Sequence, residues 1–202
     1  MTHPSRRTLL KLAGGGVAAS VLRNPAEGAR EASPAKIWSG EYTAKKGDVS
    51  LYMFRKRRGV PRKENGDAPV LFMVHGSSIS SRPTFDLTVP GKGRYSLMDT
   101  FAEYGFDVWT MDHESYGRST RTEGNSDIAT GVLDLAAGLD VVARETGRSR
   151  AHFIGESSGA LRAAAFAVAH PDRVDRLVLM AFTYTGKGSP TLQKRAEQVE
   201  YY

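Results

Sequence analysis

Gly155-Glu156-Ser157-Ser158-Gly159 sits between two segments of opposite character. The residues before it, Ala151-His152-Phe153-Ile154, read as a short buried strand. Those after it, residues 160–170, are alanine-rich and helical. A serine between two glycines at a strand-to-helix junction stands on a sharp turn that exposes its hydroxyl. The glycines are mechanical, because so tight a reversal leaves no room for Cβ atoms beside the serine. Only 43 residues follow Gly159, and no histidine follows His170.

Further strands and helices alternate around this turn. Residues 69–75 (P-V-L-F-M-V-H) form a continuous apolar run, the mark of a strand buried on both faces. Residues 76–95 read as a long Ser-, Pro- and Gly-rich loop, and residues 96–104 as a helix ending at Gly105. Residues 106–111 form the next buried strand, and Ser126 is expected to cap a helix that runs to Thr146 and closes at Gly147. Residues 174–182 are another strand, and 191–202 begin a polar helix. Nearer the N-terminus, residues 37–45 and 49–56 form a hairpin around Lys46-Gly47-Asp48. The basic stretch from Arg55-Lys56-Arg57-Arg58 to Lys63 reads as a solvated loop, because no aromatic platform for nucleic acid accompanies its charges.

Apolar strands alternating with helices imply an α/β fold, a doubly wound and mostly parallel sheet covered on both sides. Such sheets bind ligands beyond the carboxyl ends of their strands. His75-Gly76, Asp112 and Ser157 all fall just past strand ends and are expected to converge on one edge.

The bulk properties narrow the class. The chain has 202 residues, 40% apolar and 25% charged, as in an ordinary globular domain. It has no cysteine, which excludes a disulfide framework and a thiolate metal site. The net charge of +6 does not mark a nucleic-acid binder: residues 1–35 hold five basic and two acidic residues, half of the excess. Within them, Ser5-Arg6-Arg7-Thr8-Leu9-Leu10-Lys11 resembles a twin-arginine export motif. The apolar stretch that follows, residues 9–22, is too short and glycine-rich for a stable membrane anchor. Residues 1–35 therefore read as a signal peptide and linker, which implies the export machinery as a partner and a periplasmic or secreted location.

Four motifs in order resemble the α/β-hydrolase fold across roughly residues 37–202. They are His75-Gly76-Ser77-Ser78, then Asp112-His113-Glu114-Ser115-Tyr116-Gly117-Arg118-Ser119, then the 155–159 turn, and last His170-Pro171-Asp172-Arg173-Val174 leading to Leu179. The resemblance implies a serine hydrolase with Ser157 as nucleophile and an acyl-enzyme mechanism, acting on a small molecule, for choice a carboxylic ester. It implies an oxyanion hole from the N–H groups of Ser77 and Ser158, with Ser78 a weaker candidate, and an orienting role for His75 and Gly76 in that loop. Gly155 and Gly159 are the elbow glycines. No cofactor is expected, and no His/Asp/Glu cluster has metal spacing. Of the other histidines, His152 reads as a satisfied strand residue, His170 as a capping cation at a helix end and His113 as a remote contact at the mouth of the site. Arg82 is either a pocket residue favouring an anionic substrate or part of a solvated loop. Ser115 stands where the family has glycine, and a positive φ there costs roughly 1 kcal/mol.

The family orders its triad as serine, acid, histidine, with the last two after later strands. Nothing downstream of Ser157 in this sequence supplies the histidine, and Thr183-Tyr184-Thr185-Gly186 offers no carboxylate. The expectation is an α/β-hydrolase domain over residues 36–202, cut after its sixth strand at the start of a cap near residue 187, and nearly inactive alone. The alternatives are a non-catalytic pseudoenzyme or binding protein on the same fold, and a remnant that does not fold stably because its last strand is unpaired.

Overall fold

The computed structural model describes residues 36–62, 68–124, 126–183, 185, 187–188 and 190–197. The export segment expected at 1–35 lies outside these residues.

Six strands form one sheet in the order β1-β2-β4-β3-β5-β6. They are β1 (Ile37–Lys46), β2 (Val49–Arg58), β3 (Val70–Val74), β4 (Asp107–Met111), β5 (Ala151–Glu156) and β6 (Val174–Met180). β1 pairs antiparallel with β2, and β2 antiparallel with β4. The β4-β3-β5-β6 portion is parallel throughout. The doubly wound, mostly parallel α/β architecture expected from the sequence is the one observed.

Alternation along the strands builds two cores. Val70, Phe72 and Val74 of β3, with Trp109 and Met111 of β4, face helices α3 (Ile128–Thr146) and α4 (Ser158–Ala169). Leu71, Met73 and Val108 face the other way, against α1 (Ser81–Phe85) and α2 (Leu97–Glu103). Both faces of β3 and β4 are thus buried, which is why these strands read as unbroken apolar runs. A last helix, α5, covers Pro190–Glu197, within the segment expected to begin a cap.

Several expectations shift. Residues 76–95 are not all loop, since α1 lies inside them. The α3 cap is Asp127 rather than Ser126: the Asp127 carboxylate accepts the Thr130 N–H at 2.7 Å, and a negative side chain suits the positive end of the helix better than a hydroxyl. Arg55 to Arg58 belong to β2, not to a solvated loop. Arg55 and Arg57 are buried and share the Asp107 carboxylate, with Arg55 held by Nε at 2.7 Å and Nη2 at 2.5 Å. The Arg55 guanidinium also lies 5.7 Å from the Trp38 ring centroid and 4.8 Å from that of Trp109.

Candidate active site

The turn at 155–159 has the geometry its glycines require. Ser157 sits between β5 and α4 at φ 55° and ψ −125°, a strained conformation for a residue with a side chain. Such backbone costs about 1–3 kcal/mol and persists only where its surroundings fix it. Here they do. The Ser157 N–H donates to Met180 O at 2.9 Å, and Ala160 N–H to Ser157 O at 3.0 Å. A Cβ on Gly155 would stand 2.6 Å from Gly159 O, and one on Gly159 2.2 Å from Val74 O. Neither glycine can be replaced without moving backbone.

The His75-Gly76-Ser77 loop lies directly against this turn. A Cβ on Gly76 would fall 3.0 Å from Ser157 Cβ. His75 is fully buried, with both ring nitrogens committed: Nε2 accepts the His113 N–H at 3.1 Å, so Nδ1 carries the proton and donates to Gly76 O at 2.7 Å. Gly76 C=O and Ser77 N–H belong to one planar peptide and point in opposite directions. Fixing the carbonyl on His75 therefore turns the Ser77 N–H away from the ring. Burial, reinforced by nearby His113, pushes the His75 pKa down to about 3, so the ring stays neutral.

His113 does not line the mouth of the site, as the sequence suggested. It is fully buried and donates from Nδ1 to Asp134 Oδ2 at 3.1 Å. Asp134 also accepts the Glu114 N–H at 3.0 Å and pairs with Lys46, which reaches Glu114 at 2.5 Å. Burial lowers the His113 pKa, partly countered by Asp134. Burial opposes ionisation of Asp134, but the bonds from His113, Lys46 and the Glu114 N–H outweigh it and hold its pKa low.

The other two described histidines make no hydrogen bond to the 155–159 turn. His152 is in β5, its ring edge-on to Phe106, but its Nδ1 is buried without a partner, so it is not the satisfied histidine expected. His170 ends α4 with its N–H on Phe166 O at 2.8 Å and its ring centroid 4.8 Å from that of Phe166. Thus none of the four histidines among the described residues hydrogen-bonds Ser157.

Two residues missed in the sequence organise this edge. Asp134 lies on the buried side of α3 with Gly131, Leu135 and Gly138, and a carboxylate at that helical spacing was the available signal. Arg162 is buried on α4, donates to Ser126 O at 2.6 Å and approaches Ser158 Oγ at 3.4 Å. Ser115 adopts φ 66°, so the position does take the positive angle at which a serine is strained. Asp112 is structural: it accepts Ser81 N–H, Ser81 Oγ and Arg118 N–H at 2.8, 2.6 and 2.9 Å. Among the described residues no group of three or more metal-ligating side chains is close enough to hold an ion.

Comparison with known proteins agrees with this geometry. Residues 92–199 match the Hydrolase_4 family, described as serine aminopeptidase, S33. The sequence is 37% identical over 158 residues to the 2-hydroxy-6-oxononadienedioate/2-hydroxy-6-oxononatrienedioate hydrolase 1 of Dechloromonas aromatica, covering 73% of this chain and 44% of that protein. It is 35% identical over 104 residues to the 2-hydroxy-6-oxononadienedioate/2-hydroxy-6-oxononatrienedioate hydrolase of Paraburkholderia phymatum, covering 48% of this chain and 32% of that one. The chain thus spans less than half the length of these curated relatives. A solved hydrolase from Pseudomonas aeruginosa PA01 shares the fold, with a TM-score of 0.58 and 20% identity over 80% of this chain and 53% of that one.

Proposed function

The chain belongs to the Hydrolase_4 family, described as serine aminopeptidase, S33, and we propose that Ser157 is the nucleophile of a hydrolase attacking a carbonyl carbon. The observation that carries this reading is the strained φ/ψ of Ser157, locked between β5 and α4 and pressed against the oxyanion loop. Strain kept at one serine by two irreplaceable glycines is costly for a purely structural turn. The Ser158 N–H lies at the first turn of α4, where backbone N–H groups lack intrahelical partners. The peptide locked by His75 supports Ser77 as the second donor. One such donor is worth about 2.7–4 kcal/mol to the transition state.

The sequence favours an ester, cleaved through an acyl-enzyme that water then releases. A second reading follows from the relatives' names: a hydroxy-oxo-dienedioate has no ester group, so its hydrolysis cleaves a carbon–carbon bond. The nucleophile and oxyanion donors serve both. None of the described histidines hydrogen-bonds Ser157, so among the described residues it has no histidine base in place, and turnover by these 202 residues is expected to be near zero. Export through the twin-arginine pattern at Arg6-Arg7 completes the proposal.

Excess fluorophosphonate with mass-spectrometric mapping tests the nucleophile. The expected result is one slowly forming adduct on Ser157, absent from Ser157→Ala. An adduct elsewhere, or one that survives the substitution, overturns the reading. Protection of Ser157 from fluorophosphonate by p-nitrophenyl acetate against protection by the dienedioate separates the two substrate classes.

A further inference from the structure

A concavity of about 400 Å³ opens between β2 and the 80–88 segment. Its height in the fold is set by backbone: Asp112 N–H donates to Tyr52 O at 2.9 Å, so Tyr52 on β2 stands level with the end of β4. The concavity is therefore on the same edge of the sheet as Ser157.

Two guanidiniums frame it, and they are held differently. Arg118 lies 4.1 Å from the Tyr52 ring centroid and donates through both Nη atoms to Glu41, at 2.7 and 3.0 Å. Arg82 lies 4.0 Å over the Phe54 ring, but its carboxylate contacts are long, 3.4 Å to Asp86 and 3.6 Å to Glu41. Charge-assisted bonds of full strength run near 2.7–2.9 Å. Arg82 thus bonds the Tyr52 hydroxyl but holds no carboxylate at full strength, while an aromatic face fixes its plane.

The two acids in the wall are already occupied. Asp86 takes Lys56 Nζ at 2.5 Å and Ser96 Oγ at 2.7 Å on Oδ1, and its Oδ2 faces Arg82 at 3.4 Å. Asp112 is saturated by Ser81 and the Arg118 N–H. Pro83 and an exposed Leu87 supply an apolar wall next to Arg82.

We propose that this groove is a carboxylate subsite, in which Arg82 takes the carboxylate of an aliphatic acid whose hydrocarbon lies on Pro83 and Leu87. A planar guanidinium backed by a ring presents its donors edge-on, the geometry suited to bidentate carboxylate binding. Arg82 follows Ser77 by five residues, a chain span of at most about 18 Å. The substrate class it selects carries an anionic end remote from its reacting carbonyl. Only this link to the reaction rests on Ser157 being the nucleophile; the binding groove does not.

Calorimetric titration of the 202-residue protein with hexanoate and with neutral hexanamide tests the subsite. Hexanoate is expected to bind about tenfold more tightly, and Arg82→Met to abolish that preference. Leu87→Glu, an exposed change that sets a carboxylate on the apolar wall, is expected to weaken hexanoate to a similar degree without touching Arg82. Equal binding of the two probes, or an unchanged preference in either variant, overturns the subsite. Saturating hexanoate should also slow fluorophosphonate labelling of Ser157 in the wild type but not in Arg82→Met. Labelling that ignores hexanoate overturns the link to the nucleophile. If no labelling of Ser157 occurs at all, the proposed nucleophile fails, while the titration still decides the groove.

Discussion

Two turns on one edge of the sheet are built to the same plan but are held in different ways. The 112–119 turn and the 155–159 turn each centre on a serine at positive φ, 66° for Ser115 and 55° for Ser157. Each also has a glycine against which no Cβ fits. On Gly117 a Cβ would meet Asp112 Oδ2 at 2.1 Å, and on Gly159 it would meet Val74 O at 2.2 Å. The serine side chains differ. Ser115 Oγ accepts the Thr122 N–H at 3.1 Å and lies 3.3 Å from Thr122 Oγ1, so the strained residue stabilises its own loop. In Ser157 the strain is fixed by backbone bonds to Met180 and Ala160, and the hydroxyl takes no part in holding the turn. At Ser115 the side chain helps to hold the strained backbone; at Ser157 the neighbours hold it and the hydroxyl stays unengaged.

The sharpest way to break the parallel is to add a methyl group to each turn. Gly159→Ala drives a Cβ into the backbone of β3, which cannot yield, and is expected to cost 3 kcal/mol or more, roughly, or to prevent folding. Gly117→Ala meets a side-chain carboxylate at φ 49° and is expected to cost about 2 kcal/mol. Urea midpoints compare the two, and equal losses would erase the distinction.

Acid is the next largest perturbation, and it acts through the loops beside both turns. His75 stays neutral in the fold down to about pH 3, whereas the unfolded chain takes up a proton near 6.5. The unfolded state therefore binds more protons in that window, and stability falls as pH drops through it. The loss from His75 is about 2 kcal/mol by pH 5, with His113 acting in the same direction. The low pKa of Asp134 adds a further loss only below its ordinary carboxylate range. Denaturant melts between pH 7 and 4 read this slope; a flat profile would show that the histidines are not held neutral.

Smaller effects come from the serines themselves. Ser157→Gly relieves strain without losing a bond and is expected to stabilise by about 1 kcal/mol while abolishing labelling. Ser115→Gly relieves similar strain but removes the partner of the Thr122 N–H, so its net effect is expected to be near zero. Stabilisation by both, or by neither, would mean that the side-chain bond at Ser115 does not decide the balance.

The elbow was legible because its constraint is local: strand, two glycines and helix occupy contiguous sequence. The parallel sheet was legible because strands buried on both faces lose their polar alternation, as β3 and β4 do. Contacts distant in sequence were not. The basic run of Arg55 to Arg58 looked like solvated loop because its neutralising carboxylate, Asp107, is about fifty residues away. Likewise, Asp134 meets Lys46 across 88 residues and His113 across 21, so neither pairing had a local signature. Asp127 displaced Ser126 as helix cap over a single residue, a choice that two adjacent capping types leave open.

Arg55 between Trp38 and Trp109 has a spectroscopic consequence. These are the only two tryptophans in the chain, and both flank one guanidinium on the β1-β2-β4 side of the sheet. Tryptophan emission, excited selectively, therefore reports from a single place, separated from the β5 elbow by β3. A ligand bound at the elbow should leave emission wavelength and intensity unchanged while the protein remains folded. Any optical response to such a ligand would mean that the sheet itself carries the message across its strands.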